Sequence, residues 1–345
     1  MSNIWNKLYC ISAVILFLFS SYAVSEDLIK SKQKISDINF IGNKLSPRFF
    51  HNFLMSDLQK KSKTNTNSNK YIKIVAVGDI MLGTNFPNEK HLPPDNGKKA
   101  FLPFKDIFNS ADILFGNLEG VLMTKEGTAK QCSDPSICYA FKSPDEYINN
   151  FKDAGFDILS IANNHIGDFG EEGIANTVKL LNDAKINFAG VSSHPYCVFT
   201  KGKIKYGFSA FSPNKETLKP NDYEQATEII SHLDSLCDIV IVSMHIGAEG
   251  SKHTNITRED EYFLGDNRGN PYKFARVAID AGADLIIGHG PHVVRAVDIY
   301  KDRFIAYSLG NFATYSRFNI SGLSGLAPVL TVELEKNGAF RSGKI

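Results

Sequence analysis

The chain has 345 residues, 43% of them hydrophobic and 22% charged, with 38 basic and 37 acidic side chains and a formal net charge of +1. That length allows one large domain or two ordinary ones with a sizeable core. The near-zero balance, with no clustered basic stripe, gives no electrostatic footprint for nucleic acid, and none is expected as a partner.

In chain order, residues 1–25 are laid out as a secretory signal peptide. A short basic start leads into an apolar core from Leu8 to Phe19, then into Ala23-Val24-Ser25, which fits the small-x-small cleavage pattern. The apolar run ends by Val24, short of the roughly 20 residues of a bilayer span, with an uncleaved anchor as the alternative. Export to the periplasm or the outer face of a membrane is the expectation. Residues 26–70 are a polar extension that ends in the solvated run Lys60–Lys70, a linker by composition. The folded domain is expected over 71–345.

There, short apolar runs alternate with amphipathic stretches. Strands are predicted at 72–78, 112–115, 156–160, 186–190, 204–211, 238–244, 283–287, 303–308 and 328–334. Helices are predicted at 104–109, 144–153, 171–183, 222–236 and 270–281. The alternation argues for an α/β protein with a largely parallel or mixed sheet. Closely spaced late strands suggest antiparallel pairs added at the end. Export makes the cysteines candidates for disulfides. A bridge is expected between Cys132 and Cys138, which flank a Pro-containing loop, whereas Cys197 and Cys237 read as buried small hydrophobes.

Chemistry concentrates where the predicted strands end. The first is followed by Gly78-Asp79-Ile80-Met81-Leu82-Gly83, the second by Gly116-Asn117-Leu118-Glu119 and the third by Asn163-Asn164-His165 with Asp168. Later strands end in His245-Ile246-Gly247-Ala248-Glu249, Gly288-His289-Gly290-Pro291-His292 and Leu309-Gly310-Asn311-Phe312. In a parallel sheet such ends share one edge, where α/β proteins bind ligands. Carboxylate, amide oxygen and neutral imidazole are the ligand set of a divalent cation such as Mn²⁺, Zn²⁺ or Fe, in a one- or two-ion site. Any one of these motifs alone is an ordinary turn; together they are specific. His51, His91, His194, His232 and His253 lie elsewhere and read as surface or structural residues.

From Ile72 to Phe340 these ordered motifs, with Tyr307-Ser308-Leu309-Gly310-Asn311-Phe312, resemble the capsule-synthesis family typified by CapA and PgsA, the poly-γ-glutamate capsule proteins. That family looks like a branch of the calcineurin-like metallophosphoesterases. The resemblance implies a four-layer αββα sandwich of mixed sheets, metallophosphoesterase-like. It implies a metal site of Asp79, Glu119, Asn164, His245, His289 and His292, holding one or two divalent ions. A water activated by the ion would be the nucleophile. His165 would be the general acid, with Asp168 or Glu249 orienting a histidine. Asn117, Glu249, Arg295 and Asn311 would meet the substrate, with Arg268 a further candidate to grip an anion. The chain departs from the phosphoesterase pattern at Met81, Asn117 and Ile166, which replace a His and two acids and leave a site poor in carboxylates.

The implied biology is the making, export or anchoring of an extracellular polyanion, with membrane-bound capsule-synthesis proteins as partners. A phosphate-containing small molecule is the substrate of the alternative, an exported metallophosphoesterase unrelated to capsule. The third reading is a metal-free, polymer-binding scaffold.

Overall fold

The computed structural model describes residues 71–132 and 138–345; the leader and linker expected at 1–70 lie outside the described residues. In chain order the strands are β1 (Ile72–Met81), β2 (Ile113–Leu118), the short pair β3 (Val121–Leu122) and β4 (Lys142–Ser143), β5 (Ile158–Ser160), β6 (Asn187–Ala189), β7 (Tyr196–Lys201), β8 (Ile204–Phe211) and β9 (Ile239–His245). A small hairpin, β10 (Tyr262–Phe263) and β11 (Asp266–Asn267), precedes β12 (Leu285–His289), β13 (Val297–Tyr300), β14 (Arg303–Ala306), β15 (Asn311–Thr314), β16 (Val329–Leu334) and β17 (Phe340–Lys344). The helices are α1 (Lys105–Asn109), α2 (Ile148–Ala154), α3 (Gly170–Ala184), α4 (Tyr223–Leu236) and α5 (Pro271–Asp280).

Two mixed sheets face each other. The first runs β17-β16-β1-β2-β5-β6, with β15 also paired to β1; the second runs β13-β14-β12-β9-β8-β7. Their central strands are parallel and carry buried residues on both faces, as sheets covered on both sides do. In β1, Ile72, Ile74 and Ala76 point between the sheets, where they meet Phe208, Ile241, Leu285 and Ile287 of the second sheet. Val75 and Val77 point outward beneath Phe151 of α2 and Leu181 of α3. On the far side, Val240, Val242 and Ile286 lie beneath Ile230 of α4 and Phe274 of α5. The result is the four-layer αββα sandwich of mixed sheets.

The late antiparallel pairs are β13–β14 and β16–β17. One strand departs from that expectation: β15 runs parallel to β1. The predicted strand 303–308 ends at Ala306 in the second sheet, and the chain then crosses to enter the first as β15. That crossing is tight. A Cβ on Gly78 would lie 2.0 Å from the Gly310 carbonyl oxygen, so only glycine admits β15 beside β1. Strands β7 and β13 were not predicted from the sequence. They are short edge strands whose side chains are exposed or only partly buried.

Candidate metal centre and cleft

A register irregularity in β1 builds the site. Strict alternation from Ile72, Ile74 and Ala76 would turn Asp79 outward, towards the helices. The pairing with β2 shifts between Ala76 and Asp79, and Ile80 joins the outer core instead. Asp79 is thereby re-aimed into the gap between the sheets, a common use of a bulge beside a site. It sits in register with Asn117 of β2 and Asn311 of β15. Opposite, His245 of β9 and His289 of β12 are register partners, each four residues on from the inward-facing Ile241 and Leu285 and so on the same face.

The fully buried Asp79 carboxylate accepts hydrogen bonds from Asn117 Nδ2 at 2.9 Å, His289 Nδ1 at 3.2 Å and His292 Nδ1 at 2.9 Å. Glu119 lies beyond, its Oε1 3.6 Å from His292 Nε2. Asp79, Glu119 and His292 each offer a ligand atom within 4.8 Å of the others. His292 has a left-handed φ of 56°, an uncommon conformation for a non-glycine residue.

Burial acts to raise the Asp79 carboxyl, but the hydrogen bonds and charges of His289 and His292 outweigh it and hold it well below 3.8. Burial, and then the charge of Asp79, push Glu119 well above 4.5. Burial drives His245 far below 6.5. Burial also acts to lower His292, yet the carboxylates of Glu119 and Asp79 carry it up to about 10. A proton held between His292 and Glu119 thus serves as the counter-charge to the ionised Asp79.

The donor set fits a divalent cation. Glu119 Oε1 and Oε2, His289 Nε2, both ring nitrogens of His245, and the Oδ1 atoms of Asn117 and Asn164 are buried without hydrogen-bond partners. Each such orphan costs about 1–3 kcal/mol. Carboxylate, amide and imidazole lone pairs are the donors a divalent cation accepts, with one ring nitrogen of His245 at most able to face it. Met81 stands apart from this set: it is buried, and its sulfur accepts from the Gly83 amide at 3.2 Å.

The stretch Asn163-Asn164-His165 divides its labour. Asn163 is a brace: its Nδ2 donates to the Leu118 carbonyl, and its Oδ1 accepts from the His165 amide. Asn164 and His165 line a cleft of about 550 Å³ together with His292, Glu249 and Arg268. His165 Nδ1 donates to Asp168 Oδ2 at 2.8 Å, so Nε2 is the nitrogen left for chemistry. Asp168 is fully buried and also accepts from the Phe141 amide at 2.7 Å; Lys130 Nζ lies 2.6 Å away as an ion pair.

Several expected substrate contacts are placed otherwise. Arg295 is enclosed and bidentate to Glu261, and it also donates to the Ala248 carbonyl. Its charge is met inside the protein, so it does not reach a substrate. Asn117 holds Asp79. Asn311 donates to the Ser324 carbonyl at 3.0 Å and braces that loop. Glu249 lines the cleft but pairs with Arg268 at 3.0 Å, not with a histidine. The Cys132–Cys138 bridge is present, and Cys197 and Cys237 are free.

The sequence did not single out Lys130, Tyr139, Phe141, Arg317 and Phe318, which form much of the cleft wall. Phe141 packs 4.3 Å from the His165 ring, and Phe318 lies 5.2 Å from Phe141 and 5.1 Å from His292. Arg317 stacks over Tyr139 at 4.9 Å and pairs with no carboxylate among the described residues. A separate cavity of about 460 Å³, lined by Phe101, Lys105 and Asn150, lies against α1 and α2 rather than at the strand ends.

Similar proteins bear on this geometry. PGA biosynthesis protein CapA of Bacillus subtilis (strain 168) is 28% identical over 305 residues, 84% of this chain and 74% of that protein. Capsule biosynthesis protein CapA of Bacillus anthracis is 28% identical over 270 residues, 71% of this chain and 60% of that one. Purple acid phosphatase PPD1 from yellow lupin (Lupinus luteus) seeds aligns over 80% of this chain and 54% of its own, at 9% identity and a TM-score of 0.35, too slight a likeness to carry an argument. The family model described as bacterial capsule synthesis protein PGA_cap matches residues 73–316, a span that takes in every strand-end motif of the cleft, and the chain belongs to that family.

Proposed function

We propose that this chain is an exported, envelope-side component of the synthesis or export of a capsule or poly-γ-glutamate-type polymer, with a divalent-cation site that works on a phosphate or acyl centre. The polymer context rests on the family and on the Bacillus relatives. Export rests on the leader-like residues 1–25, and the Cys132–Cys138 bridge supports it. The observation that carries the chemistry is the Asp79–Glu119–His292 cluster, whose ligand atoms lie within 4.8 Å of one another and whose Glu119 oxygens are buried with no hydrogen-bond partner.

Asp79, Glu119 and His292 would hold the ion (Mn²⁺, Zn²⁺ or Fe), with Asn164, His245 and His289 completing its shell. A bound divalent cation supplies Lewis-acid polarisation of the phosphoryl or acyl oxygen. His165 holds the proton at Nε2 and passes it to the leaving oxygen, while Asp168 fixes the ring through Nδ1. Arg317, offset by no described carboxylate, meets the anionic groups of the substrate from the cleft wall. Phe141 and Phe318 cover the histidines and limit water.

The test is metal content of the purified protein after incubation with Mn²⁺, for wild type, Asp79→Asn and His292→Ala, alongside hydrolysis of bis(4-nitrophenyl) phosphate. Bound metal and turnover that both substitutions abolish are the expected result. No metal in any form sinks the enzymatic reading and leaves a polymer-binding scaffold.

A further inference from the structure

The Asp168 amide donates to the His165 carbonyl just ahead of α3, but its carboxylate is gripped from the segment between β3 and β4. Its carboxylate has three partners besides solvent-excluding contacts: His165 Nδ1, the Phe141 amide and Lys130 Nζ. Its own carbonyl accepts from the Lys130 amide at 2.7 Å. Apart from His165, then, everything that grips Asp168 by hydrogen bond or charge comes from Lys130 and Phe141. Those two residues stand on either side of the Cys132–Cys138 bridge, whose Cα atoms are 5.7 Å apart. The described residues between β3 and β4 hold no helix or strand that would set the loop independently. Phe141 also places its ring on His165, so the same loop end fixes both members of the pair. Cys132 lines the cleft and is half-exposed, within reach of a small reductant or oxidant.

We propose that the Cys132–Cys138 disulfide is a redox-set positioning device for the His165–Asp168 pair, with Lys130 as the positioning residue through which it acts. The inference rests on the reading of His165 as proton donor. Forming the bridge takes two electrons and two protons from the two thiols, delivered to a disulfide oxidant. Phe141 is buried beside β4 and its carbonyl accepts from the Val121 amide, so it keeps its place without the bridge. Before that step Lys130 reaches this anchor only along the chain, and the ordering entropy that the bridge removes must be met each time Lys130 docks on Asp168. The Lys130 contact is therefore set after oxidation and slack before it. An exported chain carrying this device would acquire a working proton donor only once outside a reducing compartment.

The experiment uses the full chain, ¹⁵N-labelled at histidine and metal-free, and follows the Nδ1–H signal of His165, assigned by its loss in His165→Gln. The oxidised protein shows a slowly exchanging signal. Reduction with a water-soluble phosphine converts the bridge to two thiols and the phosphine to its oxide, and it broadens or removes that signal. Circular dichroism and Mn²⁺ affinity stay within twofold of the oxidised form. Cys132→Ser/Cys138→Ser and Lys130→Met reproduce the loss, and Lys130→Arg restores the signal. With bis(4-nitrophenyl) phosphate, reduction lowers kcat at least tenfold with KM within twofold.

A signal that survives reduction overturns the proposal, as does its absence from the oxidised protein. Global unfolding on reduction also overturns it, because the bridge would then be a general staple. Lack of turnover in the oxidised wild type, with the histidine signal behaving as stated, refutes the hydrolase reading and leaves the positioning device intact.

Discussion

Metal binding at this centre should release a proton, and the structure sets the size of the effect. In the metal-free cluster, Glu119 and Asp79 hold the His292 imidazole protonated up to about pH 10. Asp79 stays ionised throughout, and His245 stays neutral. A cation that takes the His292 lone pair must displace that proton, and Glu119, its carboxyl pushed well upward, shares it as a coupled pair. At pH 7 the displacement costs about 4 kcal/mol, three units at roughly 1.4 kcal/mol each. The apparent Mn²⁺ dissociation constant should therefore fall about tenfold per pH unit, or about a hundredfold between pH 6.5 and 8.5. Titration calorimetry in two buffers of different protonation enthalpy counts about one proton released per ion. The metal-free fold shows the opposite trend. The folded-state value of His292 lies above its ordinary 6.5, so the stability it contributes is complete below pH 6.5 and lost as pH rises through 10. An affinity independent of pH, with no proton release, would refute the assignment of His292 and Glu119 as the shared-proton pair of the metal centre.

Arg295→Met should cost about 3–5 kcal/mol in urea unfolding, because it strands the buried Glu261 carboxylate, yet metal bound per folded chain should not change. Unchanged stability with a raised KM would instead return Arg295 to the substrate. Gly290→Ala should destabilise by about 1–3 kcal/mol and weaken Mn²⁺ binding, since Gly290 has a φ of 107° and a Cβ there would lie 3.0 Å from His245 Cδ2. Mn²⁺ titration of a folded Gly290→Ala protein with wild-type affinity would place His245 outside the centre. Burial pushes the Cys197 thiol up to about 12, so at pH 8 only about one part in ten thousand is thiolate and iodoacetamide should leave it unmodified in the folded protein. Mass spectrometry after an hour of labelling checks this, and rapid modification would mean that the β7 edge opens.

The parallel strands and their chemistry were readable because both depend on local composition. β1, β9 and β12 are apolar runs that end in residues with no packing value, such as His245 and His289, and a strand end is the one place such residues gather for a reason. What the sequence could not show is direction. From alternation alone Asp79 belongs with Val75 and Val77 under the helices, and only the register shift against β2 turns it inward. Partners were equally hidden. Arg295 and Arg317 look alike as letters, but Glu261 satisfies the first from 34 positions away, whereas the second lies open on the cleft wall. Lys130 and Phe141 carried no signal at all, since irregular loops lack a period and their contacts with Asp168 are set by tertiary closure.

Met81, Asn117 and Ile166 are neutral side chains within the strand-end motifs. They add no charge, so the two carboxylates of the centre are Asp79 and Glu119. Two negative charges neutralise one divalent ion in a buried site. A second ion would leave two positive charges uncompensated where the surrounding histidines and amides contribute none, and burial of unpaired charge is costly. The same shell is rich in imidazole and amide donors, which favour borderline ions over Mg²⁺ or Ca²⁺ with their preference for all-oxygen shells. Asn117 makes the trade visible: its Nδ2 donates to Asp79, a bond an aspartate there could not make, while its Oδ1 stays unpartnered beside the cluster. The Asn117 amide thus fixes the Asp79 carboxylate, an arrangement that would favour a single, well-oriented ion over a pair.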